Sequence, residues 1–252
     1  MLRKKKLTIS YGGATHVGMM RSQNQDSYGK FPEANDDLQH EKGQLFIVAD
    51  GLGGHVGGQE ASRLAVVQIA ESYFLQTGDD LGQNLCQAIQ DANNYIHEQA
   101  IERPELHGMG TTCTMLLAKD KFCQIAHVGD SRAYHVTAVN IQQLTRDHTR
   151  VAELQRQGLI SEEEARYHPE RSILYRALGT HTEVEIDLIR DIPLKPGESF
   201  VLCSDGMSRL ALSDVRDIVI ANTPQIACDK LVELANELDG DDNVTVQIVH
   251  VN

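Results

Sequence analysis

Two apolar runs of strand length, Thr112–Ala118 and Phe122–Val128, are separated only by Lys119-Asp120-Lys121. Three polar residues can close a hairpin but cannot hold the crossover that parallel neighbours require. A further run, Arg132–Val136, follows almost at once, and others lie at Leu45–Ala49, Phe200–Cys203 and Val244–Val251. Strands that succeed one another without helices between them exclude a doubly wound parallel sheet, so the expected class is α+β, with antiparallel sheets flanked by helices. The helices are read from apolar spacings of three and four. They run from about Gln59 to Phe74, from Leu81 to Ile101 (Leu85, Ala88, Ile89, Ala92, Ile96) and from Pro224 to Leu238 (Ala227, Leu231, Leu234, Ala235). The charged stretch from His148 to Gly179 lacks strand-like runs and reads as a helical or irregular excursion over the surface.

Composition narrows the functions open to such a chain. Its 252 residues are enough for one domain with a substantial core. The net charge of -13 leaves no positive footprint for nucleic acid or an anionic membrane, so neither is an expected partner. The basic start, Arg3 to Lys6, lacks the apolar stretch of a signal peptide, and no run of about 18 apolar residues marks a membrane span. The five cysteines form no C-x-x-C pair and mostly sit in apolar runs, which fits buried free thiols in a reducing, cytoplasmic setting. Chemistry on a cysteine nucleophile is not expected.

The aspartates carry the functional signal through where they fall. Asp50 follows the run Leu45–Ala49, and Asp130 follows Phe122–Val128 after Gly129. Asp205 follows Phe200–Cys203 after Ser204, and Asp242 shortly precedes Val244–Val251. Small residues bracket each: Asp50-Gly51, Gly129-Asp130-Ser131, Ser204-Asp205-Gly206 and Gly240-Asp241-Asp242-Asn243. Singly, Asp-Gly is a turn dipeptide. Four carboxylates at strand ends that can share one sheet edge are different, because clustered carboxylates repel and need cations to stay ionised together. Oxygen-only ligation selects Mg²⁺ or Mn²⁺ over Zn²⁺, and the histidines show no HExxH-type spacing. The stretch Gly51 to Gly58 lies between a strand and a helix, where a phosphate loop would lie. It lacks the Lys-Ser/Thr and the G-x-G-x-x-G pattern of nucleotide sites and reads as a loop wrapping metals.

In their order along the chain these residues resemble the metal-dependent protein phosphatases of type 2C (the PPM family), in their compact bacterial form. The matching segments are Arg21-Ser22-Gln23-Asn24-Gln25-Asp26-Ser27, Val48-Ala49-Asp50-Gly51-Leu52-Gly53-Gly54-His55, Gly110-Thr111-Thr112, His127-Val128-Gly129-Asp130-Ser131-Arg132, Thr145-Arg146-Asp147-His148, Arg176-Ala177-Leu178-Gly179, Ser204-Asp205-Gly206 and Asp242-Asn243-Val244-Thr245. The resemblance implies a single phosphatase domain over residues 1–252. Its centre would be a β-sandwich of two antiparallel sheets with helices on both outer faces, and its flap would cover about 149–175.

By the same resemblance Asp50 bridges two Mn²⁺ or Mg²⁺ ions, Asp205 and Asp242 complete the first, and the Gly51 carbonyl binds the second. Asp130, with Asp205, serves a third and weaker ion. Arg21 binds substrate phosphate, and Asp26 and Asn243 orient metal waters. The implied activity is hydrolysis of phosphoserine and phosphothreonine in proteins by a water bridging the two ions, opposing a Ser/Thr kinase and acting as a monomer. The alternatives are a non-catalytic binding module of the same fold, or a phosphatase of one dedicated signalling partner or of a small phosphate ester. One departure matters. Leu52 stands where many relatives carry a histidine assigned as general acid, and leucine has no proton to give, so a water made acidic near Asp130 is the expected substitute.

Overall fold

The structure is a computed structural model that describes residues 7–33, 36–53 and 55–252. Arg3 to Lys6 and Gly54 of the glycine-rich stretch lie outside the described residues. In chain order the elements are β1 (Ile9–His16), β2 (Asp26–Phe31), α1 (Asp36–Lys42), β3 (Gln44–Leu52), α2 (His55–Leu75), α3 (Leu81–Glu102), β4 (Gly110–Thr111), β5 (Cys113–Lys119), β6 (Phe122–Val128), β7 (Arg132–Val136) and β8 (Ile141–Gln143). They continue with α4 (Arg150–Arg156), α5 (Glu162–Tyr167), β9 (Asp187–Pro193), β10 (Ser199–Cys203), α6 (Leu212–Ala221), α7 (Pro224–Leu238) and β11 (Val244–Val251). None of the described helices is long and apolar enough to cross a membrane.

Two antiparallel sheets form, one ordered β1-β11-β10-β7-β8 and the other β2-β3-β5-β6-β9, with β4 paired to the end of β3. The expected hairpin is present: Lys119 pairs with Phe122, and Asp120 at φ +55° turns the chain. Each sheet is buried on both faces, which is why its central strands read as continuous apolar runs. Along β3, Phe46 and Val48 meet Phe200, Leu202, Val249 and Val251 of the other sheet. The alternate residues Leu45, Ile47 and Ala49 pack under α2 and α3 against Ile69, Tyr73, Leu85 and Ile89. The far face of the second layer, with Val201, Val246 and Ile248, is covered by α6 and α7 through Val215, Leu231 and Val232. The α+β sandwich flanked by helices is therefore as expected.

Three details differ from the sequence reading. Strand β3 does not stop before Asp50 but continues to Leu52, because Asp50 pairs with Asp26 of β2 and Gly51 pairs with Thr111 of β4. The loop after it is short, since α2 already begins at His55 rather than near Gln59. Strands β1, β2, β8 and β9 escape an apolar-run search because they are half-buried and polar on one face. The 148–179 excursion carries the short helices α4 and α5, whose N-caps Thr149 and Ser161 accept from backbone N–H groups.

The junction of β3 with α2 admits no side chain at residue 51. A Cβ there would stand 1.9 Å from the Gly58 carbonyl oxygen and 2.8 Å from that of Gln25, both backbone atoms. Gly51→Ala should therefore force β3 and α2 apart and destabilise the protein by about 3 kcal/mol or more in urea unfolding. A change within about 0.5 kcal/mol would mean that the junction is far looser than described.

Candidate active site

Antiparallel pairing brings the aspartates to one edge. Strands β3 and β6 both run antiparallel to β5, so their C-terminal ends, carrying Asp50 and Asp130, point the same way. In the other sheet β10 and β11 are antiparallel, so Asp205 after β10 and Asp242 before β11 also share an edge. Strand β1 ends opposite the start of β11, and β2 begins opposite Asp50. The connection from β1 to β2, which bears Arg21, therefore crosses this same edge. All of these groups open onto one cavity of about 330 Å³, lined by Arg21, Asp50, Gly51, Asp130, Asp205 and Asp242, together with Gln25, Leu52, Thr112, Leu174 and Asn243.

Backbone and side-chain hydrogen bonds stitch the two sheets together behind the carboxylates. Ser204 donates from Oγ to Asp26 Oδ2 at 2.7 Å and accepts from the Thr245 N–H at 2.9 Å. Asn243 Oδ1 accepts from the Gln25 N–H at 2.8 Å, while its amide donates to the carbonyls of Val17 and Gln23. The Asp50 N–H donates to Thr112 Oγ1 at 2.9 Å, and that hydroxyl pairs with Ser131 Oγ at 2.7 Å. Thr112, Ser131 and Ser204 had no role in the sequence reading beyond their place in the motifs. Short hydroxyls beside the aspartates were the only available signal.

The electrostatics are those of an overcrowded anionic site. Burial raises the Asp50 carboxyl well above its ordinary value, and Asp26, Asp205, Asp130 and Asp242 add repulsion in that order. Asp130 is likewise raised, by burial first and by Asp205 next. Asp205 is pushed up to about 6 by burial and Asp242, with the Arg132 charge and a hydrogen bond from Asp50 opposing. Asp26 reaches about 7, raised by burial against hydrogen bonds from Thr245 and Ser204. Arg21, half-exposed, donates to Asp242 Oδ2 at 2.8 Å and to the Asp241 carbonyl at 3.2 Å. It thus supplies counter-charge at the mouth of the cavity.

The residues fit a hard divalent cation by chemistry. The donors are carboxylate and carbonyl oxygens, they raise one another's pKa, and the buried Asp26 Oδ1 is left without a hydrogen-bond partner. Among the described residues no three carboxylate, imidazole or thiol groups close on one point as a finished metal cage would.

The one C-x-x-x-x-x-R spacing in the chain, Cys203 to Arg209, is that of a cysteine-phosphatase loop, and the fold removes it from consideration. Cys203 is buried at the end of β10, its thiol is pushed up to about 12 by burial, and Arg209 pairs with Asp239 at 2.8 Å.

Comparison with known proteins agrees with the architecture. The family model for protein phosphatase 2C matches residues 18–239. The chain belongs to the protein phosphatase 2C family. It is 35% identical over 244 residues to the serine/threonine phosphatase stp of Listeria welshimeri, covering 94% of each chain. Among solved structures, serine/threonine phosphatase Stp1 from Staphylococcus aureus superposes with a TM-score of 0.86 at 30% identity, over 99% of this chain and 98% of that one. The catalytic domain of the serine/threonine protein phosphatase PstP in complex with two manganese ions gives 0.82 at 31%, over 97% and 99%.

The raised carboxyls make the metal-free phosphatase sensitive to pH. A folded-state pKa of about 7 for Asp26, against an ordinary 3.8, means that the folded chain holds more protons than the unfolded one between those values. Stability in chelator should therefore fall as pH rises from about 4 through about 7. Asp26→Asn should flatten that slope and stabilise the neutral apoprotein. Urea unfolding across the pH range checks this, and stability that holds constant or rises over the window contradicts it.

Proposed function

We propose that this protein phosphatase 2C hydrolyses phosphoserine and phosphothreonine in protein substrates, using two Mn²⁺ or Mg²⁺ ions. Asp50 would bridge the pair, Asp205 and Asp242 would complete one ion and the Gly51 carbonyl the other, and Asp130 with Asp205 would hold a weaker third. When bound, a pair of divalent ions supplies Lewis acidity and an activated water. The single observation that carries the reading is the meeting of four aspartates from four strand ends and one arginine on a single cavity.

Each of the chain's own residues has a task in that scheme. Arg21 presents paired N–H donors suited to phosphate oxygens, and its salt bridge to Asp242 parks the guanidinium at the cavity mouth. Asp26 and Asn243, buried behind the carboxylates, fix the loop that carries Arg21 and would orient cation waters. Leu52 lines the cavity without a proton to donate, and solvent near Asp130 would supply the proton to the leaving oxygen. We further propose a single domain spanning 1–252 with its flap at about 149–175. It would be a bacterial-type, monomeric, cytoplasmic signalling enzyme opposing a Ser/Thr kinase. The strongly negative charge argues against nucleic acid or an anionic membrane as a partner.

Phosphate release from a phosphothreonine peptide, a phosphotyrosine peptide and nitrophenyl phosphate tests the proposal. The phosphothreonine peptide should be hydrolysed with Mn²⁺ and not in EDTA. Asp50→Asn should abolish turnover with the fold intact. Arg21→Ala should lower kcat/KM roughly ten- to a hundredfold, the worth of a lost charge-assisted bidentate contact. Full activity after exhaustive metal removal, or wild-type rates in Asp50→Asn, would refute it.

A further inference from the structure

The turn that presents Asp130 is pinned by a single buried histidine. Gly129 adopts φ +107°, and its N–H donates to His148 Nδ1 at 3.0 Å while its carbonyl accepts from the His148 N–H at 2.8 Å. His148 is 2% exposed and its ring packs on that of His127 with centroids 4.8 Å apart. A ring nitrogen that accepts from a backbone N–H carries no proton, so the His148 proton sits on Nε2. There it faces Asp187 Oδ2 at 3.3 Å, while Arg176 Nη1 lies 3.1 Å from the same nitrogen and donates to the other oxygen of that carboxylate at 3.0 Å. The backbone of His148 also closes the stem of the 149–175 excursion. Its carbonyl accepts from the Tyr175 N–H at 3.0 Å, and the neighbouring Arg150 N–H donates to Ile173 at 2.9 Å. On the far side of the turn, Ser131 leads through Thr112 to the Asp50 N–H.

From this arrangement we propose that His148 is a positioning residue for Asp130. Nδ1 fixes the turn that aims the carboxylate, and Nε2 with the backbone carbonyl ties that turn to Asp187, Arg176 and the flap stem. The placement of the flap and the affinity of the Asp130 site are then coupled through one imidazole. The inference rests on the proposed reading only in taking Asp130 as a cation ligand. A histidine that merely satisfied the turn would affect stability and leave cation affinity alone.

Two substitutions separate the two nitrogens. His148→Gln retains a donor near Nε2 for Asp187 and loses the acceptor for the Gly129 N–H. His148→Asn keeps an acceptor near Nδ1 and cannot reach Asp187. Mn²⁺ is titrated calorimetrically into chelator-stripped protein, and kcat and KM for a phosphothreonine peptide are measured at saturating Mn²⁺. In His148→Gln the weakest Mn²⁺ site should lose about tenfold in affinity while the tighter sites are unchanged. His148→Asn should weaken that site by less than His148→Gln does and raise KM for the peptide. Asp187→Ala, whose carboxyl is half-exposed, should shift the weak site in the same direction as Gln by less, and it carries the test if His148→Gln fails to fold. Wild-type affinity at the weak site in both His148→Gln and Asp187→Ala, whatever their melting temperatures, overturns the role of His148 and leaves the phosphatase reading standing. Wild-type protein that binds no Mn²⁺ overturns both.

Discussion

Asp26 and Asp50 face each other directly across β2 and β3, at the edge where the two sheets meet. Like charges in directly opposed cross-strand positions destabilise a sheet, and here Asp205, Asp130 and Asp242 add to the same crowd. The sandwich tolerates this because its stability comes from elsewhere. Three apolar layers, between the sheets and under each pair of helices, hold the strands whatever the charge at their ends. The edge is thereby free to concentrate oxygens that want a cation, as functional sites do at the expense of local stability.

Rigidity at that edge comes from hydrogen bonds that cross between elements. Ser204 joins β10, β11 and Asp26, Asn243 binds three backbone groups of the β1–β2 connection, and Thr112 links Asp50 to the Asp130 turn. Gly129 makes the last link feasible, since a Cβ there would lie 2.6 Å from the Thr112 side chain. The bidentate pair of Arg132 with Asp147, at 2.6–3.1 Å, stands beside the same turn, where Asp147 adds to the repulsion on Asp130 and Arg132 offsets part of it. These contacts leave few ways for the carboxylates to move independently, which is what a preorganised site requires.

Much of this was legible in the sequence because period and burial leave marks. The central strands are continuous apolar runs, since both their faces are covered, and the aspartates stand out at their ends against small neighbours. The polar edge strands β1 and β9 left no such mark, and the extension of β3 through Asp50 depends on pairing with β2 and β4, which a single sequence does not display. Proximity between sheets was equally hidden. Nothing local to Ser204 signals that its hydroxyl meets Asp26, or that His148 clamps Gly129, because those contacts join residues far apart in the chain. The formal C-x-x-x-x-x-R spacing at Cys203 shows the converse, a motif whose cysteine folding places in the core while its arginine pairs with Asp239.

Cation binding at this edge should displace protons from the raised carboxyls. Isothermal titration of Mn²⁺ into chelator-stripped protein, in buffers of different ionisation enthalpy, reads this directly as protons released on binding. With Asp205 raised to about 6 and Asp50 and Asp130 higher than their ordinary values, binding should release protons at about pH 6 and fewer at about pH 8. Heats that do not depend on the buffer at either pH, or no binding of Mn²⁺ at all, would contradict it.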